Sequence, residues 1–254
     1  MDPSSILDYL DSSLVDPEVE PETAIEELSP RDASWLERVH AEFEAGFRLM
    51  QDRGPCVTVF GSARIRPASP LYELGRDVGR ELAKAGFTVV TGGGPGLMEA
   101  ANRGALEAGG TSIGLGITLS DLEPPNRYTT AAVTFRYFFV RKVMLVKYAT
   151  AFVLLPGGLG TLDEMFETLN LIQTKKMAPF PVILVGSRHW SGLVEWVRRS
   201  LYETKLVSPS AMEMFLMLDD PGEVAREVTR WRATHDPASL ESPAVQAAPR
   251  RISA

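Results

Sequence analysis

Short apolar runs alternate with amphipathic stretches along most of this chain. The runs are CVTVF (56–60), FTVVT (87–91), TSIGLGI (111–117), AAVTF (131–135), AFVLLP (151–156), PVILV (181–185) and MFLML (214–218). Helical periodicity falls between them, over 31–52, 70–85, 96–108, 136–149, 161–176, roughly 190–203 and 221–233. Several runs are apolar throughout instead of alternating, as strands covered on both faces are. Strand–helix alternation of this kind predicts an α/β fold. A Rossmann-like, doubly wound, mainly parallel sheet of six or seven strands is expected, with helices on both faces and right-handed crossovers.

Three of the runs end in glycine-rich or polar turns that lead towards a helix. They are Gly61-Ser62-Ala63-Arg64, Gly92-Gly93-Gly94-Pro95-Gly96 and Pro156-Gly157-Gly158-Leu159-Gly160-Thr161. Ligands of open α/β sheets bind outside the carboxyl ends of the strands. Glycine lets backbone amides approach an anion, and a helix N-terminus adds about half a positive charge. A tight turn alone would also use glycine. Three such turns on one sheet edge predict a pocket for a phosphorylated ligand.

Several phosphate-site classes do not fit. The turn after the first strand reads GSARIR, not G-x-G-x-x-G, and no glycine turn ends in Gly-Lys-Ser/Thr. A G-x-S-x-G nucleophile elbow is absent. His40, His189 and His235 are scattered without metal-ligand spacing. A mononucleotide or sugar phosphate remains.

Charge is informative only by position. The chain of 254 residues has a formal net charge of −7. Residues 1–30 hold nine acids and no Lys or Arg, and the other 24 acids face 26 bases, so the body is near neutral. The division expected is an acidic disordered tail (1–30), one nucleotide-binding domain with an N-terminal helix (31–234), and a second disordered tail (235–254). A near-neutral body gives little support to nucleic acid as a partner. The single cysteine, Cys56, excludes an internal disulfide. Neither a signal peptide nor an apolar run long enough to span a membrane is present, so a cytoplasmic setting is the expectation.

The third turn carries two acids, Asp163 and Glu164, in what reads as the first turn of a helix. Thr161-x-x-Glu164 fits a capping box, and a carboxylate beside a bound sugar phosphate could also stabilise positive charge or position water. Arg141-Lys142 sits within an otherwise apolar helix, with Arg136 a lesser cation nearby. Arginine suits bidentate binding of phosphate or carboxylate, and a solvated position is the plain alternative.

PGGLGTLDE (156–164) matches the P-G-G-x-G-T-x-x-E signature of the LOG family of nucleotide phosphoribohydrolases, long mislabelled as lysine decarboxylases. GGGPGLMEAANRGA (92–105), VFGSAR (59–64) and FVRK (139–142) also resemble family motifs. The resemblance spans about residues 56–230, and the N-terminal helix and QTKK (173–176) are similar to a longer subgroup. It implies a Rossmann-like fold, a homodimer or assembly of dimers, no cofactor and no metal. It implies hydrolysis of the N-glycosidic bond of a nucleoside 5′-monophosphate, either a cytokinin riboside 5′-monophosphate or AMP.

By the same resemblance, Gly157, Gly158, Gly160 and Thr161 bind phosphate, and Arg141 and Glu164 are catalytic. Ser62, Gly93, Gly94, Met98, Glu99, Glu123, Lys142 and Asp163 meet the rest of the substrate. The loop 118–130 matches the subgroup only at Glu123 and Asn126. A non-catalytic carrier of a nucleotide or of molybdenum cofactor is the rival, and an intact Glu164 counts against it. Nothing in the sequence reads as a pyridoxal phosphate site.

Overall fold

The computed structural model describes residues 28–118 and 125–235. Seven strands form one parallel sheet: β1 (Cys56–Phe60), β2 (Thr88–Thr91), β3 (Ser112–Ile117), β4 (Ala131–Phe135), β5 (Ala149–Leu154), β6 (Val182–Val185) and β7 (Phe215–Leu218). Their order is β4-β3-β2-β1-β5-β6-β7. The winding direction reverses between β1 and β5, which pair in parallel from Cys56↔Ala149 to Phe60↔Leu154. That reversal opens a crevice at the carboxyl ends of these two strands.

The helices are α1 (Pro30–Met50), α2 (Pro70–Lys84), α3 (Leu97–Glu107), α4 (Phe138–Lys147), α5 (Leu159–Gln173), α6 (Ser187–Val197) and α7 (Pro221–His235). A π-helical turn follows α6 at Arg198–Tyr202, and a 3-10 turn spans Pro209–Glu213. Helices α1 and α2 start as their sequences dictate. Ser29 and Ser69 accept the amides of Asp32 and Leu71 at 3.1 and 3.2 Å, and Pro30 and Pro70 fill the first helical position. The outer ends of the chain expected as tails lie outside the described residues, except for Leu28, Ser29, Pro30 and His235.

The sheet separates two cores. On one face, Val57 and Val59 of β1 pack with Val78 and Leu82 of α2, Leu97 and Ala101 of α3, and Val224 and Val228 of α7. On the other, Cys56 and Phe60 pack with Met144 and Leu145 of α4, Met165 of α5 and Trp190 of α6. Every residue of β1 is buried, so its near-continuous apolar sequence follows from its central place. Leu97 is fully buried against both Gly61 and Gly75, where an added Cβ would stand 2.7 and 3.3 Å from its side chain. Cutting such a residue to alanine costs about 2–5 kcal/mol.

Helix α1 covers the second face beside β4 and α4. The Glu42 carboxylate accepts the amides of Arg136 and Tyr137 at 2.9 and 3.2 Å, just ahead of α4. Trp35 packs on Tyr137 and Phe139, with ring centroids 5.7 and 5.9 Å apart. This anchorage fixes the helix that carries Arg141 and Lys142. Arg136 precedes α4 instead of lying on it, because the helix begins at Phe138.

Candidate active site

The three turns expected from the sequence meet at the β1/β5 crevice, and Ser62 ties them together. Its amide donates to the carbonyl of Pro156 in the third turn at 3.1 Å, and its carbonyl accepts the amide of Leu97 at the end of the second at 3.0 Å. Gly96 has a φ of +71°, and an added Cβ there would stand 2.4 Å from the Ser62 carbonyl oxygen. Only glycine allows that approach. Gly93 and Gly94 are held from the other side by Asn126, whose side-chain amide reaches their carbonyls at 3.2 and 3.1 Å.

Helix α5 begins earlier than the Thr161-x-x-Glu164 pattern suggests. Its first residue is Leu159, its N-cap is Gly158, and no side chain caps it. Thr161 is therefore the third helical residue, and its amide bonds to the carbonyl of Gly158 at 3.0 Å. The capping box does not form, and Asp163 and Glu164 fall in the second turn, because the glycine pair bends the chain into the helix before Thr161 is reached. The first amides of a helix lack intrahelical acceptors and present positive charge. Open space lies beside Gly158 and Gly160, whereas Thr161 is buried against Gly157.

One turn further along α5, Glu164 is nearly buried at 6% exposure. Burial pushes its carboxyl up to about 7, against the pull of Lys142 and Arg141. Lys142 Nζ lies 2.8 Å from Asp163 Oδ2 and 4.0 Å from Glu164 Oε1, and also pairs with Glu167. Burial draws the lysine down, but hydrogen bonds with Asp163 and Glu167 outweigh it and hold the ammonium above its ordinary range. The Arg141 guanidinium is held below its ordinary range by burial, with Glu164 acting in the opposite sense. Its Nε donates to the carbonyl of Leu115 at 2.7 Å, and its Nη2 lies where a Cβ on Gly92 would come within 2.2 Å. Gly92, the Arg141-Lys142 pair and Glu164, far apart in sequence, thus lie together beside the glycine turns.

Met98 and Glu99 occupy the first turn of α3. A Cβ on Gly94 would stand 2.7 Å from the Met98 methyl, and Glu99 Oε1 accepts the Tyr72 hydroxyl at 2.7 Å. Glu123 lies outside the described residues. Among the described residues, no cluster of three or more His, Cys, Asp or Glu could hold a metal.

Three neighbours of this site were not singled out from sequence. Glu167 grips Lys142, and its i+3 spacing from Glu164 on a helix could have identified it. Tyr72 holds Glu99 from another helix. His189, on α6, places Nε2 3.1 Å from the Gly157 carbonyl and 3.3 Å from its amide nitrogen. No sequence pattern links His189 to a turn 32 residues away.

A family model described as possible lysine decarboxylase matches residues 98–228. A cytokinin riboside 5′-monophosphate phosphoribohydrolase of Mycobacterium tuberculosis is 32% identical over 161 residues, covering 61% of this chain and 84% of its own. A pyrimidine/purine nucleotide 5′-monophosphate nucleosidase of Escherichia coli is 28% identical over 173 residues, covering 63% of this chain and 37% of its own. Among solved structures, the molybdenum cofactor carrier protein of Chlamydomonas reinhardtii has a TM-score of 0.54 at 22% identity, covering 71% of this chain and 99% of that one. At that identity the likeness shows a shared Rossmann-like fold.

Proposed function

The chain belongs to the LOG family, to which the lysine decarboxylase description is attached, and on that premise we propose that it hydrolyses the N-glycosidic bond of nucleoside 5′-monophosphates. Water adds to the anomeric carbon, the carbon–nitrogen bond breaks, and the base leaves with a proton, giving free base and ribose 5-phosphate. The observation that carries this reading is the buried Glu164 carboxyl one helical turn beyond an open glycine turn, with Arg141 and Lys142 beside it.

In this reading the amides of Gly157, Gly158 and Gly160 and the side chain of Thr161 hold the 5′-phosphate at the N-terminus of α5. The ribose then extends towards Glu164. Glycosidic cleavage passes through an oxocarbenium-like state. An ionised carboxylate in a dry setting stabilises such a cation far better than it would in water. Arg141 orients Glu164 and the substrate. Ser62, Gly93, Gly94, Met98, Glu99 and Glu123 border the ribose and base, with Lys142 and Asp163 at the acidic wall.

AMP and cytokinin riboside 5′-monophosphates are the substrates this reading favours, since relatives are named for cytokinin nucleotides and for purine and pyrimidine nucleotides. The reading includes a homodimer or an assembly of dimers, supported by exposed Phe139 and Val143 one turn apart on α4 and by Phe166 on α5. It also places the enzyme in the cytoplasm; no helix among the described residues is long and apolar enough to cross a membrane.

The test is release of free base from AMP and from isopentenyladenosine monophosphate by purified protein. Glu164→Gln and Arg141→Ala should each lose about 100-fold or more, the scale of a positioned acid or base. Absence of base release from any nucleoside monophosphate, or full activity in both variants, overturns the reading. Calorimetric binding without turnover would favour a carrier.

A further inference from the structure

Two buried side-chain oxygens of the described residues have no hydrogen-bond partner: Oε2 of Glu164 and Oγ1 of Thr168. Both residues lie on α5, four positions apart, so their side chains stand one turn apart on the same helix face. Thr168 is fully buried. A helical threonine can turn its hydroxyl back to a carbonyl three or four residues earlier, and Thr168 does not. Buried polar atoms almost always find partners, and two orphans one helical turn apart, not bonded to each other, leave room for a bridging water.

The charged groups around Glu164 are accounted for elsewhere. Lys142 approaches Oε1, at 4.0 Å, and is otherwise engaged by Asp163 and Glu167. Arg141 acts on Glu164 only through charge, and its Nε is bonded to Leu115. Asp163 and Glu167, on the same helix, are acids and add repulsion. None of these bonds to Oε2.

We propose that Thr168 is a positioning residue for Glu164, its hydroxyl donating to Oε2 across one trapped water. The inner oxygen is then fixed, and Oε1 is left facing Lys142 and the bound nucleotide. A donor to the charged form favours ionisation, so Thr168 offsets part of the burial that works against the carboxylate. The catalytic meaning of this contact rests on Glu164 being the reacting acid; the contact itself does not.

The test is a titration of the Glu164 side-chain carboxyl by carbon-13 NMR in the full chain, its signal assigned by loss in Glu164→Gln. It is run on wild type, Thr168→Val and Thr168→Ser, with kcat/KM for AMP followed over the same pH range. Valine matches threonine in shape and lacks the donor; serine keeps the donor. The midpoint should rise by about one pH unit in Thr168→Val and return towards wild type in Thr168→Ser. A midpoint in Thr168→Val equal to or below wild type overturns the inference, whatever the activity does. Should the valine variant not fold, Thr168→Ala against Thr168→Ser reads the same difference. An inactive protein with the shifted midpoint would defeat the functional reading alone, and an active one with an unmoved midpoint would defeat this inference alone.

Discussion

Lys142 stands 4.0 Å from Oε1 of Glu164, within reach of charge and beyond reach of a hydrogen bond. Its direct partners are Asp163 and Glu167. The lysine therefore moderates the burial of Glu164 without neutralising it. Burial is the larger effect, which is why the carboxyl titrates at about 7.

Replacing Lys142 with methionine keeps most of the stem and removes the charge. Glu164 then loses the strongest influence drawing it down, and its midpoint should rise above about 7. If the ionised form is the active one, kcat/KM for AMP near neutral pH falls and recovers as pH increases. Asp163 and Glu167 are exposed enough for water to solvate them, so folding should survive. A pH–rate profile checks this, and an acidic limb that stays in place or moves lower would contradict it.

Glu164 should also limit stability. Burial is the chief reason its carboxyl is pushed up to about 7 in the folded protein, from an ordinary value of 4.5. The folded protein thus holds a proton that the unfolded chain has released, and the benefit, complete below the unfolded value, is lost as pH rises through the folded one. The loss saturates above about pH 7 at on the order of 3 kcal/mol. Glu164→Gln cannot ionise, so urea unfolding should show it more stable than wild type above neutrality by about 1–3 kcal/mol. The advantage should shrink on acidification. A variant no more stable than wild type at alkaline pH would mean the carboxyl is not strained by burial.

Gly92→Ala tests the seat of Arg141. A Cβ at residue 92 would stand 2.2 Å from Arg141 Nη2 and 2.8 Å from Met98 Sδ, both far ends of long side chains. The guanidinium should move and the backbone should not. Activity should drop about 10-fold or more at a stability cost of roughly 1 kcal/mol or less. Combined with Arg141→Ala, the losses should not add, because both act on one group. Full additivity in kcat/KM would refute this.

The sheet was legible because parallel strands buried on both faces are written as apolar runs, and β1 and β6 are such runs. The glycine turns were legible because Gly93 and Gly96 adopt a backbone that other residues avoid. The start of α5 is not legible in the sequence: a glycine N-cap leaves no side-chain signal, while Thr161 and Glu164 imitate a capping box. Helix α6 was expected near 190 and begins at Ser187, since Asp219 beyond β7 accepts its first amide at 2.7 Å. His189 and Tyr72 act through partners that only the folded chain brings near. Their own sequence surroundings are those of ordinary helix residues.

Gly160 offers the sharpest test of the phosphate turn. It is the second residue of α5, its φ is not in the left-handed region, and open space lies where a Cβ would go. Alanine there is compatible with the helix and should raise stability by about 0.5–1 kcal/mol through the lower entropy of the unfolded chain. In the proposed function the same open space receives the 5′-phosphate. The added methyl should then raise KM for AMP with a much smaller change in kcat, since phosphate contacts are made equally in the ground and transition states. A protein more stable and weaker binding is the expected result, read by thermal melting and steady-state kinetics. Greater stability with an unchanged KM would show that the phosphate does not sit at this turn.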